Sequence, residues 1–464
     1  MGGIGSRMSP TQAGEAGDRG FGQGCAVGDF DGDGFPDLFV TNYGAVVLLR
    51  NNGDGTFDNV TSLAQMDNPF WGTSVAWVDL NDDGWLDLYV VNYLDVTFDN
   101  LQICQFRGRP GYCGPGEYQG QPDRVFINLG DGRFEEQSER LGLVGPNGKG
   151  LAVAAVDMDN DGRPELYVGN DMTPNFLFTR SRPAFVVDRS PDVMYWEVAS
   201  AAGCAVSDTG LNEATMGIAV GDFNWDGLPD LFLSHFYQQK NTLYTNLGGL
   251  LFKDDSRRTR IAATSYDYLG FGTVALDFNS DGALDIFVAN GHVLGPYYDP
   301  CEMTPQLLLN DGSGRFDDVS AWAGDYFQER LLGRGVAAAD FDQDGDLDIA
   351  VSHLHRRLAL LRQDTSRGHF LGVSLRQWSR SPPVGARIEV VQEGKKWVVP
   401  YVAGGSYLSW NESRLLIRLP EDQPVQLTVY WPDGRVEHFR EVPVDRYVCC
   451  FPGRGIQPWP VFAP

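Results

Sequence analysis

Six stretches of the chain hold carboxylate and amide side chains in one spacing, D-x-[DN]-x-D-G-x-x-[DE]. They are Asp29/Asp31/Asp33/Asp37, Asp79/Asn81/Asp83/Asp87, Asp157/Asp159/Asp161/Glu165, Asp222/Asn224/Asp226/Asp230, Asp277/Asn279/Asp281/Asp285 and Asp340/Asp342/Asp344/Asp348, each with glycine in sixth place. Side-chain oxygens from alternate residues can converge on one centre, the glycine allows a sharp turn, and the ninth residue can close the set. This is chemistry suited to calcium, which takes six to eight oxygens at about 2.3–2.6 Å and tolerates irregular geometry. An EF-hand would need a glutamate in twelfth place and helical flanks, and these loops have neither. About six Ca²⁺ sites are therefore expected. Twenty-one carboxylates crowd into the loops and repel one another, so a bound cation is expected to act first on stability.

The flanks show what must position the loops. CAVGDF, VAWVDL, VAAVDM, IAVGDF, TVALDF and VAAADF precede them, and DLFVTN, DLYVVN, ELYVGN, DLFLSH, DIFVAN and DIAVSH follow. These nearly continuous apolar, β-rich runs read as strands buried on both faces. Each loop then joins the two strands of a hairpin. Seven residues before the first Asp stand Gly22, Gly72, Gly150, Thr215, Gly270 and Gly333; five before it stand Gly24, Ser74, Ala152, Gly217, Gly272 and Gly335. Small residues in both places suit inner strands crowding towards a common axis. An N-x-G-x-G-x-F turn at Asn51–Phe57 and Asn128–Phe134, with variants at Asn246–Phe252 and Asn310–Phe316, reads as the link between outer strands. Successive loops are 50, 78, 65, 55 and 63 residues apart, room for four strands each. The expected fold is all-β: a calcium-binding β-propeller with six visible repeats and six or seven blades, followed by a small C-terminal β domain.

At these residues the chain resembles the FG-GAP/VCBS-type propellers. The tail, with VGAR at 384–387, GGSYLS at 404–409 and WPDG at 431–434, resembles the ASPIC/UnbV domain. Together they are the arrangement of the cartilage acidic protein family and its bacterial relatives. The resemblance implies a calcium-stabilised, non-enzymatic binding or adhesion module in an extracellular or periplasmic setting, with a protein or glycan partner. On this reading residues 1–19 are a flexible segment, 20–368 the propeller, 369–452 the ASPIC/UnbV-like domain and 453–464 a Pro-rich tail. HFLGVSL (369–375), or another part of the tail, is expected to close the ring of sheets.

The charge of −26, from 62 acidic against 36 basic residues, repels nucleic acid and anionic lipid. No run of about 18 apolar residues offers a membrane span, and the first twenty residues show no export signal. Cys104 and Cys113 bracket a Gly/Pro-rich loop that a disulfide could close. H-E-x-x-H, G-x-S-x-G and P-loop signatures are absent. Five residues beyond each loop's last ligand stand Asn42, Asn92, Asn170, His235, Asn290 and His353. They read either as residues that tie neighbouring loops together or, with Tyr43, Tyr93, Asp171, His292 and His355, as a ligand face around a channel mouth. A lyase or cyclase with its site in that channel is the alternative function, and a structural part of a surface or matrix assembly is a third.

Overall fold

The computed structural model describes residues 20–106, 108–181, 193–295, 299–364, 368–376 and 383–459. The opening segment 1–19 and residues 460–464 of the Pro-rich tail lie outside them. The chain forms an all-β, multi-sheet repeat architecture in which each acidic loop starts one antiparallel sheet.

The first sheet runs Gly22–Gly28, Asp37–Asn42, Gly44–Asn51 and Phe57–Asn59. The second runs Gly72–Val78, Asp87–Asn92, Arg124–Asn128 and Phe134–Glu136. The third runs Gly150–Val156, Glu165–Asn170, Phe176–Thr179 and Trp196–Glu197. The fourth runs Ile218–Gly221, Asp230–Leu233, Thr242–Asn246 and Phe252–Asp254. The fifth runs Gly270–Leu276, Asp285–Asn290, Gln306–Asn310 and Phe316–Asp318. The sixth has three strands, Gly333–Ala339, Asp348–His353 and Ala359–Leu361.

One register recurs: the ninth loop residue stands opposite the last residue of the first strand, as in Gly28 with Asp37, Val78 with Asp87 and Ala339 with Asp348. The 78-residue interval absorbs an insertion between the second and third strands of the second sheet. It carries the hairpin Ile103–Phe106 and Arg109–Tyr112, closed by a Cys104–Cys113 disulfide. Apolar cores lie between neighbouring sheets. Phe30, Phe39, Trp77 and Phe134 fill the first such space, and Phe223, Phe232, Ile286 and Phe316 fill another; each buried side chain of this size contributes about 2–3 kcal/mol.

First strands of successive sheets lie close together, which explains the small residues. A Cβ on Gly24 would collide with the Thr73 carbonyl, one on Gly217 with that of Phe271, and one on Gly272 with Arg334 and Val336. Ser74 Oγ donates to the Leu151 carbonyl at 2.8 Å. Gly335, on the sixth first strand, faces Tyr407 and Ser409 instead.

Those two residues come from the tail, whose two sheets run Leu415–Leu419, His369–Leu375, Arg446–Phe451, Gly455–Pro458 and Lys395–Pro400, Arg387–Gln392, Val425–Tyr430, Val436–Val442. His369–Leu375, expected at an open edge of the array, is instead an interior strand of the tail. It pairs on both sides within the tail, and it meets the array through Phe370, which packs on Gly345 of the sixth loop, with no strand pairing to a repeat.

A different part of the tail enters the array. Between Pro400 and Leu415 the chain leaves its own sheets, and Ala403–Glu412 touches the first strand of every repeat. Ala403 and Gly404 pair with Ala155 and Ala154, and Ile218 N–H donates to the Ser406 carbonyl at 3.2 Å. Ser406 Oγ donates to the Val336 carbonyl at 2.7 Å, and Tyr407 stacks edge-on against Phe271 with centroids 5.0 Å apart. Leu408 lies against Gly24 and donates its N–H to Ser74 Oγ at 3.2 Å. Asn411 Oδ1 accepts the Ala338 N–H at 3.0 Å. Small residues let the segment pass, and its backbone polar groups find partners on the strands around it.

Gly404 has φ +80°, and a Cβ there would strike the Val153 carbonyl; Gly394 has φ +82° in open space. Gly404→Val is therefore expected to cost about 2–4 kcal/mol and Gly394→Ala about 1 kcal/mol. The two denaturation midpoints, measured at equal calcium, check the difference.

Candidate metal centres

All six loops adopt one backbone turn. The fourth residue is left-handed in each, Gly32, Asp82, Asn160, Trp225, Ser280 and Gln343, and the sixth-place glycines lie at φ between +84° and +94°. The first Asp organises the turn. Asp29 accepts the N–H groups of Asp33 and Gly34 at 3.1 and 2.9 Å. Asp157, Asp222, Asp277 and Asp340 do the same for their own fifth and sixth residues. In the second loop Asp79 takes only the Gly84 N–H, at 2.9 Å, and its Oδ1 is buried with no hydrogen-bond partner.

The turn gathers oxygens. Asp29, Asp31 and Asp33 each bring one within 4.8 Å of the others, as do Asp157, Asp159 and Glu165, and Asp340, Asp342 and Asp344. Asn81, Asn224 and Asn279 hold the third place of the other loops.

The fifth-place residues of all six loops stand alike. Asp33, Asp83, Asp161, Asp226, Asp281 and Asp344 are exposed. Each turns one oxygen back on its own loop, accepting the N–H of the seventh residue, Phe35, Trp85, Arg163, Leu228, Ala283 or Asp346, at 2.8–3.0 Å. Asp161 also takes the Ser181 hydroxyl, and Asp281 the Asn279 amide at 2.9 Å. In the third loop the group is completed by Glu165 in place of Asp161, its side chain being one methylene longer than that of the Asp found in ninth place elsewhere.

The loop donors are all hard oxygens carrying net negative charge, and Asp79 Oδ1 lacks a protein partner, so the set fits a hard divalent cation. A further cluster, absent from the sequence reading, joins His369, Asp422 and Asp445 in the tail, with His369 Nδ1 2.7 Å from Asp445 Oδ2.

The ninth residue is buried in every loop and has a second task. Asp37 accepts the N–H of Phe30, second in its loop, at 3.0 Å and that of Asn51, ending the third strand, at 2.8 Å. Asp87 takes Leu80 and Asn128, Asp230 takes Phe223 and Asn246, Asp285 takes Phe278 and Asn310, and Asp348 takes Phe341 and Gln363. Glu165 takes the Met158 N–H and the Thr179 hydroxyl. Burial pushes Asp37 up to about 7 and Asp87, Asp230 and Asp285 to about 8. Backbone N–H donors pull these values back, and neighbouring loop carboxylates raise them further.

The third-strand amide that meets this carboxylate also joins the sheets. Asn128 Nδ2 donates to the Phe30 carbonyl of the preceding loop at 2.9 Å, Asn246 to Met158 at 2.8 Å and Asn310 to Phe223 at 2.9 Å. Gln363 does so to Phe278 at 3.0 Å, and the Tyr195 hydroxyl to Leu80 at 3.1 Å. The sequence pattern marked these Asn residues as turn formers; their reach to the neighbouring sheet was not legible from it.

The tail covers four of the loops. Arg387 lies 3.8 Å from Asp157, Trp397 packs at a tilt against Trp225 and adjoins Gly282, and Arg418 bonds the Gly345 carbonyl and Asp346. Arg414 and Tyr447 both bond Asp340.

At the other ends of the strands, Asn42, Asn92, Asn170, Asn290, His235, His292 and Asp171 are buried. Asn92 donates to the Pro122 carbonyl, Asn170 to Pro174 and Asn290 to Thr304. His235 Nε2 meets Thr242 Oγ1, and burial lowers this imidazole to about 4, keeping it neutral. His292 Nδ1 accepts the Leu294 N–H, and His353 Nε2 lies 2.9 Å from the Tyr326 hydroxyl. Tyr43 donates to the Val96 carbonyl and Tyr93 to Asp171, while His355 is exposed.

Residues 29–90, 113–168, 222–288 and 277–351 match the FG-GAP-like repeat, over half of the chain, and residues 378–453 match ASPIC and UnbV. Cartilage acidic protein 1 of Xenopus tropicalis is 26% identical over 448 residues, covering 89% of this chain and 62% of that protein. Its Homo sapiens counterpart is 24% identical over 442 residues, covering 89% and 61%. The chain thus spans about three fifths of the length of these curated relatives. Among solved structures, an Agrocybe aegerita lectin described as recognising non-reducing terminal N-acetylglucosamine superposes with a TM-score of 0.40 at 14% identity, covering 82% of this chain and 85% of that one.

Asn246 joins two sheets from a buried position, whereas half-buried Asn51 donates only to Pro36 of its own loop. Asn246→Ala, which leaves the Met158 carbonyl without its donor, is expected to cost about 2–3 kcal/mol, and Asn51→Ala less than about 1 kcal/mol. Calorimetry of the two variants checks it.

Proposed function

Because the chain belongs to the FG-GAP-like repeat family and carries an ASPIC and UnbV domain behind its repeats, we propose that it is a calcium-stabilised binding module of the extracellular or periplasmic space, non-enzymatic, that engages a protein or glycan partner. In this reading the six sheets are blades of a β-propeller spanning 20–368, with the tail of 369–452 set on it and Ala403–Glu412 along its axis.

The observation that carries the calcium reading is the buried Asp79 Oδ1, without a protein partner in a loop whose copies gather three or four oxygen-bearing side chains. Asp29, Asp31 and Asp33, and their counterparts in the other five loops, would hold the ions. Asp37, Asp87, Glu165, Asp230, Asp285 and Asp348 would close each set from within. Bound calcium supplies positive charge and oxygen coordination to carboxylates that otherwise repel one another. The tail's contacts with loops three to six favour a structural role, since the same loops then join the repeats to the tail.

The partner reading rests on family membership and on how the interior is used. The axial segment takes the space in which a lyase or cyclase would keep its substrate, which weighs against the enzymatic alternative. The Cys104–Cys113 disulfide fits an oxidising compartment, and the relatives' name, with its reference to cartilage, points to the same setting.

Native mass spectrometry with a thermal melt before and after chelation tests this reading. Close to six bound calcium ions are expected, with a large loss of melting temperature on chelation because metal that binds only the folded form stabilises it. Asp79→Ala should remove one ion and leave the other five. A melt indifferent to chelator would overturn the proposal.

A further inference from the structure

The tail lies against the third to sixth loops, whereas the second loop borders a cavity of about 600 Å³. That volume falls within the about 300–1,000 Å³ of small-molecule sites. On the loop side the cavity is lined by the third, fifth and seventh loop residues, Asn81, Asp83 and Trp85. On the other side stand Gln137 and Arg140, at the short helix Ser138–Leu141 that follows the second sheet.

The lining is held by bonds within each side. Trp85 lies across Gly130, where φ is +74° and a Cβ would stand 2.7 Å from the indole Nε1, so a glycine in that turn gives the ring its seat. Asn81 Oδ1 accepts the Asp83 N–H at 3.0 Å, and its Nδ2 donates to Asp83 Oδ2 at 2.9 Å. Gln137 Nε2 donates to Glu135 at 2.6 Å, and its Oε1 accepts from Arg140 Nη1 at 3.3 Å. Arg140 is exposed, and among the described residues its guanidinium pairs with no carboxylate. Its remaining donors are therefore available to an occupant of the cavity.

The donors and acceptors limit what that occupant can be. A guanidinium only donates, a carboxylate only accepts, and the Asn81 and Gln137 amides do both. Asp83 and Arg140 cancel in charge. An anion would meet one arginine against a chain charge of −26, and a basic group would stand against Arg140. An apolar ligand would cover these polar groups without bonding them. Hydroxyl groups donate and accept alike, and the C–H face of a sugar ring packs on an aromatic side chain such as Trp85.

We propose that this cavity is a binding site for a neutral glycan, whose hydroxyls bond Arg140, Asp83 and Gln137 while one sugar ring packs on Trp85. The proposal names a partner class for the module described above and rests on the calcium reading of the second loop, since a bound ion keeps Asn81 and Asp83 at the cavity. The site lies at the loops, whereas Asn92 and Asn170, read from the sequence as part of a ligand face, are buried at the other ends of the strands.

The test adds lactose, cellotriose, maltotriose and mannotriose, with trigalacturonate as the anionic control, to the full chain in calcium. Titration calorimetry reads binding, and native mass spectrometry counts the ions in the same samples. Saturable one-to-one binding of at least one neutral sugar is expected, weakened about tenfold or more by Arg140→Ala and by Trp85→Ala, with the ion count unchanged. Should Trp85→Ala fail to fold, Trp85→Leu keeps an apolar group on Gly130 in its place, and Arg140→Ala alters only an exposed side chain. No binding of any of the four sugars with the ions in place, or equal binding by Arg140→Ala, overturns the site and leaves the calcium reading standing. Trigalacturonate binding tighter than the neutral sugars overturns the ligand class. A chain that holds no ions overturns the calcium reading and this site with it.

Discussion

A carboxylate held between two backbone amides is the interaction on which the repeats depend. Asp37, and its counterpart in each repeat, takes one N–H from inside its loop, and in five repeats the other comes from the end of the third strand. One side chain thus fixes the loop turn, the hairpin register and the approach of the next strand. Each such hydrogen bond contributes about 0.5–1.5 kcal/mol. The same residue borders the cluster of loop oxygens, so the groups that shape the scaffold and those suited to a cation are inseparable. Metal occupancy and folding are coupled in such an arrangement, because the oxygens come together only when the turn has formed.

The tail enters the interior of the array as well as covering its loops. Ala403–Glu412 touches the first strands of all six sheets and bonds its backbone to four of them, while its two ends return to the tail's own sheets. Where Gly335 of the last repeat would face another inner strand, it meets Tyr407 and Ser409. The result is an array whose sheets share one internal partner in addition to their neighbours. Stability in a simple repeat is set by nearest neighbours alone; here a single segment gives sheets far apart in sequence a common contact.

Local periodicity made much of this legible. The spacing of Asp29, Asp31, Asp33 and Asp37, the apolar runs on either side and the glycines at 24, 217, 272 and 335 foretold the hairpins, their loops and the close inner strands. Cys104 and Cys113 foretold the disulfide hairpin. Spacing alone did not show that the fifth-place Asp, Asp33 as much as Asp161, Asp226 and Asp281, turns one oxygen back on its own loop. What else escaped was non-local. GGSYLS has the composition of a surface turn, and only the strands around it make Gly404 and Ser406 interior residues. HFLGVSL has the pattern of an edge or a central strand alike, and its pairing with Arg446–Phe451 is set by chain more than seventy residues away. Asn128 and Asn246 were visible as turn residues, but a side chain's reach to the next sheet is written in the packing and has no period.

The axial segment has a consequence for how the chain acquires its structure. The bond between Leu408 and Ser74 spans 334 residues, and every sheet waits for a partner encoded after all six repeats. During synthesis the six hairpins can form locally in order, but the common contact closes only after residues 403–412 have left the ribosome. Loop-closure entropy for such a span is incurred before its contacts form. Until then the inner strands expose apolar faces and unpaired backbone, a state prone to association with other nascent chains. Completion of the tail is therefore the step that ends this exposure, and a chain shortened before residue 403 would carry all six repeats without their shared internal partner.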